Sequence, residues 1–225
     1  MMFSPIISLL FLLYLSYTTS KLKPITSSIQ VGNLKMSPIG GGTWSWGNQF
    51  LWDYKKDNDN ELEEVFKYAT TKGINWFDTA DSYGTGSLSG RSESLLGEFL
   101  SRNYKKNIYF CTKIAPFPWR IGKQSMINCF QASKDRMNKP VDMLQLHWPP
   151  SLGWQESNYL DAFSDIIQSK DAIQVGMSNF GPNGLRRVDQ IMKDKGIKIH
   201  SNQVSVMNTI FLAFEFYELT DIFVH

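Results

Sequence analysis

Four residues whose side chains can move or hold a proton follow apolar segments of strand length. Asp78 and Tyr83 come after the run at 74–77, and Lys113 and His147 close two later runs. A tyrosine hydroxyl has a pKa near ~10, and a neighbouring ammonium lowers that pKa, while a carboxylate holds the lysine in place. With a histidine to orient a carbonyl oxygen, the set suits proton donation to a carbonyl that receives a hydride.

Each of these residues also has an ordinary structural explanation. Taken alone, Asp78 caps a loop, Tyr83 packs as an aromatic ring, Lys113 runs along the surface and His147 is structural. Their joint placement at the ends of successive strands favours the chemical interpretation, because in a βα-repeat protein such positions line one site.

The elements that must position them alternate regularly. Apolar runs predict strands at 39–43, 74–79, 108–113, 141–147, 173–178 and 199–204. Helix-period segments separate them, with Asn58 or Asp59 and then Ser92 as predicted N-caps. Pro182 opens the last helix and Gly196 closes it, and Gly73 ends the first. Residues 29–36, with Gly-Asn at their centre, predict a small hairpin that plugs the bottom of the fold.

Six such units predict an α/β fold with a parallel sheet covered by helices. Spacing alone leaves open a doubly wound sheet or a barrel. The glycines at 40–42 do not match a dinucleotide-binding turn, which disfavours the doubly wound sheet. Polar residues at successive strand ends favour the barrel.

Composition excludes several classes of protein. The 225 residues carry a formal charge of +2 without a basic block, so nothing indicates a nucleic-acid partner. Cys111 and Cys129 are too few for a disulfide framework and have no metal-ligand spacing, so we expect two reduced, structural thiols and no metal.

The two ends of the chain differ from its middle. Residues 1–20 form a signal-like targeting segment, and residues 21–35 contain a basic, hydroxylated leader followed by the hairpin. We expect secretory or plastid targeting, with a cytoplasmic location or an uncleaved anchor as alternatives, and no stable membrane span once the leader is removed. The barrel domain is expected at 36–207, and 208–225 form a divergent tail without helix or strand signals.

Four segments carry a resemblance to a known family. FDTADSYG at 77–84, RSESLLG at 91–97, DMLQLHW at 142–148 and VGMSNF at 175–180 resemble the signatures of the aldo-keto reductases. The match covers roughly 36–206. GTWSWG at 42–47 and APFPWR at 115–120 are most similar to plant plastid and cyanobacterial-type members.

The resemblance implies a (β/α)8 TIM barrel that binds NADPH and reduces an aldehyde or ketone to an alcohol. Tyr83 would be the general acid, Lys113 and Asp78 its tuning pair, and His147 the group that orients the carbonyl. Three further residues match positions that hydrogen-bond the nicotinamide carboxamide: Ser178, Asn179 and Gln203. Ordinary turn capping, or an amide facing solvent at a strand end, is the alternative for these three.

The resemblance also places a substrate mouth on the loops. Trp44, Trp46 and Trp119 would form an aromatic rim for an apolar or ring-bearing carbonyl compound, and Arg120 would receive an anionic group. The alternative is that the tryptophans pack the loops over the barrel and that Arg120 is merely exposed.

The sequence departs from the family pattern at its end. The last two βα units of the family, which hold the rest of the cofactor, are not recognisable here. We therefore expect an incomplete barrel, C-terminally truncated, whose activity is impaired. The alternatives are a non-catalytic NADPH-binding or regulatory module, or a product without function. The family includes pyridoxal-type reductases, but no residue selects that substrate, and the oligomeric state is not determined.

Overall fold

The computed structural model describes residues 23–86, 89–102 and 107–204. The targeting-like segment 1–20 and the tail 208–225, both expected from the sequence, lie outside the described residues. Two short strands come first: β1 (Ile29–Val31) pairs antiparallel with β2 (Leu34–Met36) through Val31 opposite Leu34. Gly32 in the turn has a φ of +54°, which glycine adopts without strain. The predicted hairpin is confirmed.

The hairpin closes one end of the sheet. Its inward side chains form a small buried cluster with Trp76, Cys111 and Met143, which lie on the lower halves of three sheet strands. This end is therefore filled with apolar side chains. The opposite, carboxyl end of the strands is left for polar groups.

Six parallel strands form the main sheet, and they neighbour one another in chain order. They are β3 (Gly41–Gly42), β4 (Trp76–Asp78), β5 (Tyr109–Ile114), β6 (Val141–Leu146), β7 (Ala172–Ser178) and β8 (Ile199–Gln203). A doubly wound sheet reverses its strand order at a switch point, and this order has no reversal. The sheet curls into a half-barrel, which corresponds to an incomplete (β/α)8 barrel.

Helices cover the outer face of the sheet. A four-residue α1 (Gln49–Trp52) and a 3-10 turn (Lys56–Asn58) precede five longer helices. These are α2 (Asp59–Thr71), α3 (Arg91–Ser101), α4 (Gly122–Met137), α5 (Gln155–Gln168) and α6 (Pro182–Asp194). Their apolar faces pack on the outward side chains of the strands and form the larger core. The predicted starts and stops at Pro182, Gly73 and Gly196 agree with these bounds.

Two predicted helix caps do not form. Asn58 occupies the N-cap position of α2, but its side-chain oxygen accepts the backbone N–H of Lys55 and so closes the 3-10 turn instead. Ser92 lies inside α3, which begins at Arg91, and its hydroxyl donates to Thr43 Oγ1 at 2.6 Å. Asn58 accepts a hydrogen bond from Lys55 and Ser92 donates one to Thr43, and sequence spacing does not reveal such partners.

Candidate active site

The strand ends bring together the four residues that the sequence singled out for proton transfer. Asp78 is the last residue of β4, Lys113 lies near the end of β5, and His147 directly follows β6. Tyr83 lies on the loop after β4. All four line one cavity of about 480 Å³ at the carboxyl end of the sheet.

A buried ion pair forms the base of the cavity. Lys113 Nζ donates to Asp78 Oδ1 at 2.7 Å and to Oδ2 at 2.6 Å, and also to the carbonyl of Thr79 at 3.0 Å. Burial by itself lowers the pKa of Lys113, but Asp78 and Tyr83 more than reverse this, so the pKa is raised above its ordinary value. The ammonium therefore stays charged although its side chain is almost fully buried.

A chain of hydrogen-bonded hydroxyl groups fixes the backbone of Asp78. Thr43, next to β3, donates its backbone N–H and its hydroxyl to the carbonyl of Asp78, at 3.0 and 2.8 Å. Ser92 donates to Thr43, and Thr79 donates to Ser92 at 3.0 Å. This buried chain ties the end of β4 to α3, and it explains why Ser92 points inward.

Tyr83 contacts the ion pair from the cavity side. Lys113 Nζ lies 3.2 Å from the Tyr83 hydroxyl and 4.9 Å from the centre of its ring. Burial raises the pKa of Tyr83 more than Lys113 lowers it, and Asp78 raises it further. The expected lowering of this pKa is therefore wrong for this structure, because desolvation of the phenolate outweighs the lysine. The hydroxyl keeps its proton at neutral pH.

His147 faces the tyrosine as a neutral imidazole. The two rings meet edge to face with centres 5.6 Å apart. Burial, and then the charge of Lys113, lowers the pKa of His147 to about 3. Ser82 Oγ lies 3.5 Å from Nδ1, and Asn179 Nδ2 donates to the His147 carbonyl at 3.0 Å. A neutral histidine can donate one hydrogen bond into the cavity.

The three residues expected to contact a nicotinamide lie on the same wall. Asn179 has a left-handed backbone, with a φ of +60°, and its N–H donates to the carbonyl of Gln203 at 2.8 Å. Ser178 Oγ donates to the same carbonyl at 3.0 Å. Gln203 Nε2 donates to Asp78 Oδ2 at 3.2 Å, which connects this wall to the ion pair.

The predicted substrate residues are not all placed together. Trp44 lines the cavity, half exposed, and meets Trp52 edge to face at 6.1 Å. The sequence did not single out Trp52, although it lies in the same aromatic loop. Trp46, in contrast, is buried against Phe99 and faces the core, which corrects its expected place at the mouth.

Trp119 and Arg120 do not line the cavity. The exposed Trp119 stacks on Phe117, and Phe117 contacts Trp148, which contacts His147, so an aromatic row runs outward from the site. The guanidinium of Arg120 pairs with the buried carboxylate of Asp81 and donates to the carbonyl of Ala115 at 2.7 Å. Arg120 therefore does not form the expected site for a substrate anion, because its guanidinium is already paired with the Asp81 carboxylate.

Gln145 contacts the cavity-lining Gln203, and the sequence did not single it out. It is buried on β6, and its Nε2 donates to Gln203 Oε1 at 3.3 Å. A polar residue two positions before His147 in an apolar strand was the available signal. Strand residues two apart share a face, so that pattern places Gln145 on the inner side of the sheet.

No metal centre or membrane helix is found in the part of the chain that the structure describes. Among residues 23–86, 89–102 and 107–204, no three acidic, histidine or cysteine side chains are grouped as metal ligands would be. Within the same ranges, no helix is long and apolar enough to cross a bilayer.

The curled parallel sheet, with a tyrosine, lysine, carboxylate and histidine at its carboxyl end, defines an α/β protein of the β/α-barrel class. The family model for the aldo/keto reductases matches residues 38–211. The chain belongs to the aldo/keto reductase family.

Relatives of known name agree with this assignment. The chain is 40% identical over 186 residues to the chloroplastic pyridoxal reductase of Arabidopsis thaliana, covering 78% of this chain and 50% of that protein. It is 26% identical over 176 residues to the methylglyoxal reductase YeaE of Escherichia coli, covering 77% and 55%. The chain spans about half the length of these curated relatives.

A solved structure matches the fold. The aldo-keto reductase of Klebsiella pneumoniae in complex with NADPH superimposes with a TM-score of 0.70 at 18% identity. The match covers 91% of this chain and 68% of that one.

Proposed function

We propose that the chain carries the catalytic half of an NADPH-dependent reductase that converts a small-molecule aldehyde or ketone to an alcohol. One observation carries the proposal. Lys113 Nζ contacts the Asp78 carboxylate at 2.6 Å and the Tyr83 hydroxyl at 3.2 Å, and all three side chains line the cavity. The result is a protonated phenol held beside a fixed positive charge.

Tyr83 is the general acid in this proposal. Its raised pKa keeps the hydroxyl protonated in the resting site. When negative charge develops on a carbonyl oxygen, Tyr83 transfers its proton there, and Lys113 stabilises the phenolate that remains. Asp78 keeps the ammonium in place and balances its charge in the buried site.

His147 orients the substrate. With a pKa of about 3 it remains neutral over the working range and donates a hydrogen bond to the carbonyl oxygen without competing for the proton. Its ring stands across from Tyr83, so a carbonyl oxygen between the two rings would meet both donors.

The residues present fit the nicotinamide end of the cofactor. Asn179 and Gln203 bring side-chain amides to the cavity wall, where a carboxamide has matching donors and acceptors, and Ser178 adds a hydroxyl. Bound NADPH would supply the hydride. The one cation among the lining residues, Lys113, is already engaged, so the described wall offers no phosphate site. The choice of NADPH is taken from the family, one member of which, from Klebsiella pneumoniae, is solved in complex with NADPH.

A ring-bearing aldehyde is the substrate class we propose. Trp44 and Trp52 are half exposed at the cavity and present flat apolar faces. The name of the Arabidopsis relative makes pyridoxal the first compound to try. Trp119 would contribute through the aromatic row that ends at His147.

We also propose a plastid location. Residues 21–28 are basic and hydroxylated, and the Arabidopsis relative is named as chloroplastic. A fusion of residues 1–35 to a fluorescent protein, expressed in plant cells, separates plastid import from secretion and from a cytoplasmic location.

The test of the proposed function is NADPH binding followed by turnover. The purified chain is titrated with NADPH while its tryptophan fluorescence is recorded, and pyridoxal-dependent loss of NADPH absorbance is then measured. We expect saturable quenching and turnover. In Tyr83→Phe we expect binding to persist while turnover falls by about 10²-fold or more.

Three outcomes are informative. Quenching without turnover on any aldehyde or ketone would favour a non-catalytic NADPH-binding or regulatory module. The absence of quenching by a folded chain would contradict the proposal for this chain. Equal turnover in the wild type and Tyr83→Phe would remove Tyr83 from the role of general acid.

A further inference from the structure

Gln145 is a buried polar residue to which the proposed chemistry assigns no role. It lies on the inner face of β6, is 2% exposed, and belongs to the same column of side chains as Met143 and His147. Its Nε2 donates to Gln203 Oε1 at 3.3 Å. Gln203 is on β8, so the contact passes over the intervening strand β7.

Gln145 can reach Gln203 because the residue between them on β7 is a glycine, which has no side chain. Adjacent strands lie about 4.8 Å apart, so β6 and β8 are separated by roughly 10 Å. The residue of β7 in register with Gln145 is Gly176. A Cβ on Gly176 would lie 3.2 Å from Gln145 Cγ and 2.2 Å from Ser201 Oγ. The Ser201 hydroxyl and the Gln145 side chain therefore share the space that any other residue at 176 would need.

The chemistry of Asp78 determines which way both amides point. An ionised carboxylate only accepts hydrogen bonds, so Gln203 must present Nε2 to Asp78 Oδ2, and it does so at 3.2 Å. Its Oε1 then faces away from Asp78 and needs a donor, since a buried acceptor without one is costly. Gln145 supplies that donor. The orientation is thus transmitted from Asp78 through Gln203 to Gln145.

We propose that Gln145, reaching across Gly176, is a positioning residue that holds the Gln203 amide in a single orientation against Asp78. In that orientation Gln203 keeps a second N–H on Nε2 and a second lone pair on Oε1, and the residue lines the cavity. Both remain for an amide ligand such as a nicotinamide. This inference rests on the proposed function, because it assigns Gln203 to the cofactor.

Gln145→Leu is the test variant, since leucine retains bulk in the core while removing the donor. Gln174→Leu is its matched control. Gln174 is equally buried on neighbouring β7, but its Nε2 donates to the carbonyl of Val31 at 3.0 Å, at the hairpin end of the sheet. Each variant loses a buried glutamine amide, but only Gln145→Leu loses the contact with Gln203.

The first readout needs no cofactor. In the full chain labelled with ¹⁵N-glutamine, the side-chain signal of Gln203 is identified by its loss in Gln203→Leu. We expect Gln145→Leu to shift this signal and to speed its exchange with solvent by about tenfold or more. Gln174→Leu should leave the signal unchanged. A Gln203 signal that does not respond to Gln145→Leu would overturn the proposal.

The second readout is NADPH affinity by tryptophan quenching. We expect Gln145→Leu to weaken binding about tenfold, and to have no further effect in a chain that already carries Gln203→Leu. Independent, additive losses would contradict a role that acts through Gln203. If no variant binds NADPH but the Gln203 signal responds as expected, the positioning inference stands and the proposed function fails.

Discussion

Lys113 is charged, buried and in contact with both an anion and a phenol. An isolated ammonium in this position would lose its proton, because burial penalises the charged form. Asp78 prevents this through two short hydrogen bonds. Tyr83 is only partly buried and has no bidentate partner, yet desolvation still moves its pKa upward even though Lys113 opposes the shift. One desolvated environment thus keeps the lysine charged and the tyrosine neutral.

These pKa shifts predict the dependence of turnover on pH. A general acid works only while protonated, so turnover is present below the pKa of Tyr83 and is lost as the pH rises through it. Since that pKa is raised above its ordinary value near ~10, we expect a flat profile from about pH 6 to about pH 9. Protonation of His147, near pH 3, lies below this range.

The measurement is the pH profile of turnover, with Tyr109→Phe as the control, because Tyr109 lies at the other end of β5. A decline centred between about pH 7 and 8 would show that Lys113 outweighs burial and lowers the pKa of Tyr83.

At the scale of elements, the close approach of α3 and α4 depends on Gly97. A Cβ at Gly97 would lie 2.6 Å from the carbonyl oxygen of Arg136 and 2.9 Å from the carbonyl carbon of Met137. Both are backbone atoms and cannot rotate away. Glu93, one turn earlier on α3, reaches across the same contact and accepts a hydrogen bond from Arg136 Nε at 2.7 Å. Since α3 also carries Ser92, its position affects the end of β4.

Gly97→Ala is therefore expected to destabilise the protein by about 1–3 kcal/mol, although alanine is the better helix former. The control is Gly184→Ala in α6, where the nearest atom to a new Cβ is Phe180 Cδ1 at 3.4 Å. There we expect stability to be unchanged or to rise by up to about 1 kcal/mol. Urea denaturation measures both, and similar effects at the two sites would show that α3 and α4 can separate without cost.

At the scale of the whole molecule, the described sheet has inner strands paired on both sides and two outer strands paired on one side. In the described chain, the inner strands β4 to β7 are paired on both sides, with β5 to β7 as the long central strands, whereas β3 and β8 each have one partner strand. The strand β3 contains two residues, against six or seven in the central strands. The site draws on both parts: Lys113 comes from a central strand and Gln203 from an outer one.

Hydrogen exchange should follow this division. We expect the backbone amides of β5 to β7 to exchange slowest, and those of β3 and β8 at least about tenfold faster, because outer strands open without breaking the core. Exchange measured by mass spectrometry on the full chain tests this. Equal protection of β8 and β6 would indicate that another part of the chain, or a second molecule, pairs with β8.

Much of this organisation was accessible from the sequence, for identifiable reasons. Strand and helix periodicity is a local property, so the elements and the hairpin at 29–36 were predicted close to their observed bounds. Parallel βα units place the carboxyl ends of their strands on one side, so Asp78, Lys113 and His147 were expected to lie together. Arg120 and Trp46 were placed differently because their partners, Asp81 and Phe99, are remote in sequence.

The sequence by itself determined the family, the order of the elements and the residue types at the strand ends, because these depend on short motifs and local periodicity. Tertiary structure alone decided the direction of the Tyr83 pKa shift, since that is the balance between burial and two charges brought together by three segments. It also decided the contact of Gln145 with Gln203, which spans 58 residues and needs the space above Gly176. Burial and cross-strand reach are properties of the folded chain, and no local pattern encodes them.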